Sequence, residues 1–171
     1  MPAPTTTEKP FLLESHLSDN PIDKKDRRLL QLLQGDCTVP LQQLADAVAL
    51  TPNPCWKRIR RLEQEGYIRA RVALLDPARL GLTLSAVVQL KTTRHSEKWY
   101  RDLAQVVALM PEVQSLLRTT GEYDYLLRVW VPDMNAFDAL YKRLVGSLDG
   151  IEKVTTSFVM EQIRDGTQLP L

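Results

Sequence analysis

Asn53, Lys57, Arg58, Arg60 and Arg61 fall within one short stretch of the chain. An arginine guanidinium can pair in bidentate fashion with guanine, an asparagine amide with adenine, and a lysine ammonium neutralises a phosphate. Together these groups suit the edges and backbone of double-stranded DNA. A solvated basic helix in a bundle would carry the same charges, so the reading depends on which elements present them. Catalytic arrangements are missing by comparison. The sequence contains no GxGxxG, P-loop, HExxH or GxSxG pattern, no histidine is placed to serve as a base with a nucleophile, and His16 and His95 cannot build a metal site alone. We therefore expect no enzyme and no bound cofactor or metal. Cys37 and Cys55 are the two cysteines. In a first helical turn Cys55 could act as a low-pKa redox sensor, but its place on an apolar stripe reads as a buried small hydrophobe.

The stretch carrying these groups reads as the third of three short helices. Asp23 is an N-cap with Asp26 at the capping-box position, and Leu29, Leu30, Leu32 and Leu33 give an apolar face ended by Gly35. Pro40 suits the first turn of a second helix with Leu41, Leu44, Ala45 and Val48. Thr51 caps the third, which tolerates Pro52 and Pro54 because the first-turn N–H groups have no intrahelical partner. Cys55, Ile59 and Leu62 make its buried stripe, flanked by Trp56 and Arg58, while Lys57, Arg60, Arg61 and Gln64 face away. Trp56 and Trp99 read as packing residues. Three helices so ordered form a helix-turn-helix, whose third helix enters the DNA major groove. Tyr67 to Leu75 reads as an extended wing or connecting strand.

The second half has another rhythm. Leu82, Leu84, Ala86, Val88 and Leu90 alternate as in a half-buried strand, and Ser96 caps a helix carrying Trp99, Leu103, Val106, Val107 and Met110. Strands over 113–120 and 125–131 flank the turn Gly121-Glu122-Tyr123-Asp124. Asp133 caps a further helix, and a last strand covers 154–162. The order βαββαβ implies an antiparallel four-stranded sheet with both helices on one face. Its other face, rich in Thr, Ser and aliphatic residues, is expected to meet an identical sheet in a dimer, with Trp130 able to enter that contact. The fold class is thus α+β, a winged helix-turn-helix followed by a ferredoxin-like domain. The expected boundaries are an arm over 1–21, the DNA-binding domain over 22–69, a connector over 70–81, the sheet domain over 82–163 and a tail over 164–171.

Charge follows the same division. The whole chain of 171 residues balances 22 Lys and Arg against 21 Asp and Glu, yet residues 22–71 hold ten basic and six acidic side chains, a net +4. Residues 82–171 hold ten and eleven, a net −1. No stretch reaches the roughly 20 apolar residues of a membrane helix, and the first residues lack a secretory signal. A reducing cytoplasm is expected, close to the nucleoid.

Ile22-Asp23-x-x-Asp26-Arg27-x-Leu29-Leu30, Leu41-x-x-Leu44-Ala45 and Thr51-Pro52-x-Pro54-Cys55-Trp56-Lys57-Arg58-Ile59-x-Arg61-Leu62-Glu63-x-x-Gly66-Tyr67-Ile68 resemble the DNA-binding half of the Lrp/AsnC transcription regulators. The later half, with Gly121-Glu122-Tyr123-Asp124-Tyr125-Leu126-Leu127, resembles that family's ligand-sensing RAM domain. Pro54 to Arg58, Val72 to Pro77 and Tyr141 to Val145 are most similar to a branch concerned with cysteine detoxification. Residues 1–21 depart from the family pattern, which usually begins near Ile22. The resemblance implies homodimers through the sheets, assembled into tetramers or octamers, and an amino-acid effector, cysteine or another, between dimers. It carries that effector site onto Gly121, Glu122, Tyr123, Asp124 and Thr156. The chemistry agrees in part, since Asp124 can hold an ammonium group and turn N–H groups can receive a carboxylate, although the same residues would satisfy a plain hairpin. Two other functions stay open: an architectural protein that compacts DNA with little sequence preference, and an amino-acid-binding module of a metabolic enzyme.

Overall fold

A computed structural model describes residues 22–164 and 166–171, and the arm expected over 1–21 lies outside them. The chain forms two compact units, one running through Val72 and taking in Gly166–Leu171, the other spanning Ala73–Asp165.

The first unit is built from α1 (Lys24–Gly35), α2 (Leu41–Ala47) and α3 (Pro52–Gln64). The capping box at the start of α1 is closed in both directions: Asp26 N–H donates to Asp23 Oδ1 at 2.8 Å, and Asp23 N–H donates to Asp26 Oδ2 at 3.1 Å. Leu29, Leu33, Leu44, Ala45, Val48, Cys55 and Ile59 form one buried cluster, the faces that the heptad-like spacing anticipates. The tight turn between α2 and α3 places Ala49 at φ 50°, and the Leu50 N–H reaches back to Ala45 O at 2.9 Å. Gly66, at φ 79°, closes α3 in the left-handed conformation that glycine adopts without a Cβ penalty. Gly166–Leu171 docks on α1 through the Gln34 amide, which donates to Leu169 O at 3.0 Å and accepts from Leu169 N–H at 2.9 Å.

Asp26 does more than cap. It is 1% exposed, and it accepts from Arg58 Nη1 at 2.9 Å and from Arg61 Nη2 at 2.6 Å, while Arg58 also reaches Asp23 at 2.6 Å. These bonds join the N-terminus of α1 to the middle of α3. A buried carboxylate is tolerated because charged donors replace the water it has lost.

The expected wing does not form. Residues 69–76 carry no strand, and Val72, Leu74 and Leu75 are 70%, 75% and 71% exposed. Alternation alone makes no strand, because the backbone needs a neighbouring edge and the described residues offer none there.

In the second unit β1 (Leu84–Thr92), β2 (Val113–Arg118), β3 (Tyr125–Val131) and β4 (Ile151–Phe158) form an antiparallel sheet of order β2-β3-β1-β4, crossed by α4 (Glu97–Ala108) and α5 (Met134–Gly146). Ser96 and Asp133 cap these helices by accepting from Trp99 N–H and Ala136 N–H. Ala86, Val88, Leu90, Tyr125, Leu127 and Val129 meet Trp99, Leu103, Phe137, Leu140 and Leu144 in the core. The last strand lies three residues earlier than its expected start and ends at Phe158, because its register against β1, from Ile151↔Thr92 to Phe158↔Ala86, sets both ends. On the opposite face Val87, Gln89, Leu126, Arg128, Trp130 and Thr155 are half-buried in the single chain. Trp130 occupies that face as expected, with the Arg128 guanidinium 5.7 Å from its ring.

Asp26→Ala is expected to lower the stability of the first unit by about 2–3 kcal/mol, since two arginines lose a charged acceptor; denaturant unfolding followed by helix signal measures it. The backbone hydrogen bond from Asp26, followed by the Arg58 guanidinium, holds the Asp23 carboxyl below its usual value. That contribution is complete above the ordinary carboxylate pKa of about 4 and is lost as pH falls through the lower folded value. Melting temperature should therefore lose this contribution only below about pH 4, and Asp23→Asn should flatten that part of the profile.

Candidate functional site

α3 begins at Pro52 with no side-chain cap from Thr51; Pro52 and Pro54 carry no N–H and Cys55 N–H donates to Thr51 O at 3.2 Å, so few first-turn donors need a cap. At 3.6 residues per turn, Asn53, Trp56, Lys57 and Arg60 share about 100° of its surface, and all four are exposed. This strip lies on the opposite side from Cys55, Ile59 and Leu62, which are buried. The expected DNA-binding set is thereby divided. Asn53, Lys57 and Arg60 stand on the open strip, whereas Arg58 and Arg61 do not: their side chains turn toward α1 and are occupied by Asp23 and Asp26. The basic run contained no sign of this, because the acidic partners lie more than thirty residues earlier.

Arg60 is held by two neighbours. Its Nη1 donates to Glu63 at 3.2 Å, and its guanidinium lies 5.9 Å from the Trp56 ring centroid. Glu63 also accepts from Arg71 at 2.9 Å. Trp56 is no packing residue, being 50% exposed. It lines a shallow cavity of about 290 Å³, with Val39, Leu41, Leu44 and Ile59 on its apolar side and Arg60, Glu63 and Arg71 on its charged side. The i, i+3, i+4, i+7 spacing of Asn53, Trp56, Lys57 and Arg60 was the available signal for this face. Burial pushes the Cys55 thiol up, against a weaker opposing pull from Arg58, so Cys55 is a core thiol and not a poised thiolate.

The turn between β2 and β3 is ordered by its own polar groups. Gly121 has φ 117°, which other residues rarely adopt. Thr119 Oγ1 donates to Tyr123 O at 2.7 Å, and Thr119 N–H to Asp124 O at 2.8 Å. Asp124 Oδ2 accepts the Thr92 N–H at 2.8 Å, a structural bond to the end of β1. Its other oxygen, Oδ1, faces His95 Nδ1 at 3.8 Å. Glu122 pairs with Lys153 at 3.0 Å, and that ammonium also lies 5.1 Å from the Tyr123 ring centroid. The hydrogen bond from Lys153 holds the Glu122 carboxyl below its ordinary value; Lys153 and then Thr155 do the same for the Tyr123 phenol.

Thr156 does not join this group. It pairs with Val88, whose side chain is in the core, so Thr156 points to the helix side of the sheet. Thr155, one residue earlier and on the other face, shares a 2.7 Å hydrogen bond with the Tyr123 hydroxyl. Period-two alternation from the apolar Val154 would have made that distinction. The turn thus gathers Glu122, Tyr123, Asp124, His95, Lys153 and Thr155, charged groups of both signs beside exposed backbone. Among the described residues, no group of His, Cys, Asp and Glu is placed to hold a metal ion, and no helix is long and apolar enough to cross a membrane.

Comparison with known proteins agrees with both units. A family model described as winged helix-turn-helix DNA-binding matches residues 22–69, and one described as Lrp/AsnC ligand binding domain matches residues 85–169. The chain is 55% identical over 150 residues to the DNA-binding transcriptional activator DecR of Escherichia coli K12, covering 88% of this chain and 99% of DecR. An AsnC family transcriptional regulator from Agrobacterium tumefaciens superposes with a TM-score of 0.82 at 44% identity, covering 87% of this chain and 97% of that one. A Neisseria meningitidis transcriptional regulator, solved as a complex with L-Met, gives a TM-score of 0.82 at 37% identity, covering 88% and 97%. A helix-turn-helix with an open basic strip on its third helix, followed by a βαββαβ ligand-binding domain, places this chain in the Lrp/AsnC family of transcriptional regulators.

Proposed function

We propose that this Lrp/AsnC regulator reads double-stranded DNA with Asn53, Lys57 and Arg60 and responds to a small amino acid held at the Gly121–Asp124 turn. The observation that carries the first part is the division of the arginines on α3. Arg58 and Arg61 hold the helix in place, which leaves Arg60 and Lys57 exposed on a helix of the width that a major groove admits. For the second part, the oppositely charged ends of an amino acid suit a turn that offers the Asp124 carboxylate, the Lys153 ammonium and backbone at Gly121. A complex with L-Met in the Neisseria relative supports an amino acid as the class, and the resemblance of Pro54 to Arg58, Val72 to Pro77 and Tyr141 to Val145 to a cysteine-detoxification branch keeps cysteine among the candidates. The half-buried sheet face opposite the helices supports homodimers; larger assemblies, and a place in the cytoplasm on the nucleoid, belong to the same reading of the chain as a DNA-binding regulator. The ligand acts by binding one assembly state more tightly than another. The protein is a regulator, not a catalyst.

Fluorescence anisotropy on DNA from upstream of its own gene, against a shuffled fragment at physiological salt, tests the reading. A preference of about a thousandfold or more that one amino acid alters is expected; equal binding to both fragments would favour DNA compaction without sequence preference. Arg60→Ala should weaken specific binding by about 1–3 kcal/mol at unchanged melting temperature. Arg58→Ala should instead lower the melting temperature. Asp124→Asn keeps an acceptor for Thr92 N–H while removing the charge, so it should abolish the amino-acid response and leave DNA affinity intact. A retained response would clear Asp124 of contact with the effector.

A further inference from the structure

Trp56 is a large aromatic side chain that the fold leaves half in water at one edge of the strip it shares with Asn53, Lys57 and Arg60. Burying an indole is a large source of stability, so its exposure on a helix with a packed opposite face needs a reason. Its position is also defined. The Arg60 guanidinium lies 5.9 Å from the ring centroid, Arg60 is braced in turn by Glu63, and Trp56 lines a shallow cavity together with Leu41 and Leu44 of α2. An aromatic ring with two rotatable bonds, held in this way, loses little freedom when it meets a surface.

In a major groove the base edges present hydrogen-bonding groups and one apolar group, the thymine 5-methyl. We infer that Trp56 is a specificity-determining residue of this regulator, its indole packing against a thymine methyl beside the base that Arg60 addresses. Stacking over Trp56 also positions Arg60, so the two act as one unit that reads adjacent bases. This inference rests on the DNA-reading function of α3 and goes beyond it, since Asn53, Lys57 and Arg60 alone would select adenine or guanine and bind phosphate.

The test uses the full-length protein and a duplex selected by it from a random-sequence pool. Each thymine of the selected site is replaced singly by deoxyuridine, which removes only the methyl group, and binding is measured for wild type, Trp56→Ala, Trp56→Leu and Arg60→Ala. Wild type should lose about three- to tenfold in affinity at one or two thymines of each half-site, the size expected for one buried methyl. Trp56→Ala should be insensitive at those same thymines, whereas Trp56→Leu, which keeps an apolar contact, should retain part of the sensitivity. Melting curves of all variants show whether Trp56 merely covers the cavity; a large loss of stability in Trp56→Ala with an unchanged uridine profile in Trp56→Leu relative to Trp56→Ala would overturn the inference. An identical uridine profile in wild type and Trp56→Ala, with Arg60→Ala still weakened, would overturn it while leaving the DNA-reading face in place. If Arg60→Ala also binds as wild type, or if the pool yields no common site, both readings fail.

Discussion

The buried carboxylate of Asp26 is the constraint on which the exposed strip of α3 depends. It closes the cap of α1 and receives Arg58 and Arg61 from α3, so one side chain 1% exposed to solvent ties two helices that are far apart in sequence. Apolar contacts between Leu29, Leu33, Cys55 and Ile59 pull those helices together, but such contacts are non-directional. Charged hydrogen bonds have geometry. They set the rotation of α3 about its own axis, and that rotation decides which residues face outward.

The consequence is a separation of roles within one basic run. Four consecutive positions, Lys57, Arg58, Ile59 and Arg60, alternate between solvent, ion pair, core and solvent. Positive charge is therefore spent in two ways: Arg58 and Arg61 neutralise acid within the fold, and Lys57 and Arg60 remain for an outside acceptor. On the proposed reading of α3, losing either kind of arginine would reduce DNA binding, one through the surface and the other through the scaffold.

The sheet unit uses a comparable economy at its turn. Asp124 gives one oxygen to Thr92 N–H, which fastens the β2–β3 connection to the end of β1, and keeps the other toward His95. Lys153 reaches across from β4 to Glu122 and over Tyr123. A turn of this kind is rigid through its backbone bonds while its charged tips stay in solvent, so a small charged ligand would meet groups already in position.

Much of this was legible in the chain. Periodicity and capping residues identified α1, α3, α4 and α5, the span of β3 and the order of the second unit, because these depend on local backbone preference and on which side chains avoid water. The same local signals marked Asn53, Lys57 and Arg60. What they could not supply was any property set by a distant partner. Arg58 and Arg61 read as surface bases until Asp23 and Asp26 were brought beside them, Trp56 read as core until α2 left its ring half uncovered, and Thr156 exchanged places with Thr155 once the register against β1 was fixed. Residues 69–76 read as extended yet form no strand, since their backbone meets no neighbouring strand edge among the described residues. Local sequence sufficed for the helices, for the caps at Asp23, Ser96 and Asp133 and for the class of chemistry, since these follow from neighbours along the chain. The tertiary structure alone decided which charges are free, which aromatic is exposed and which threonine meets the turn, because each is settled by contacts between residues tens of positions apart.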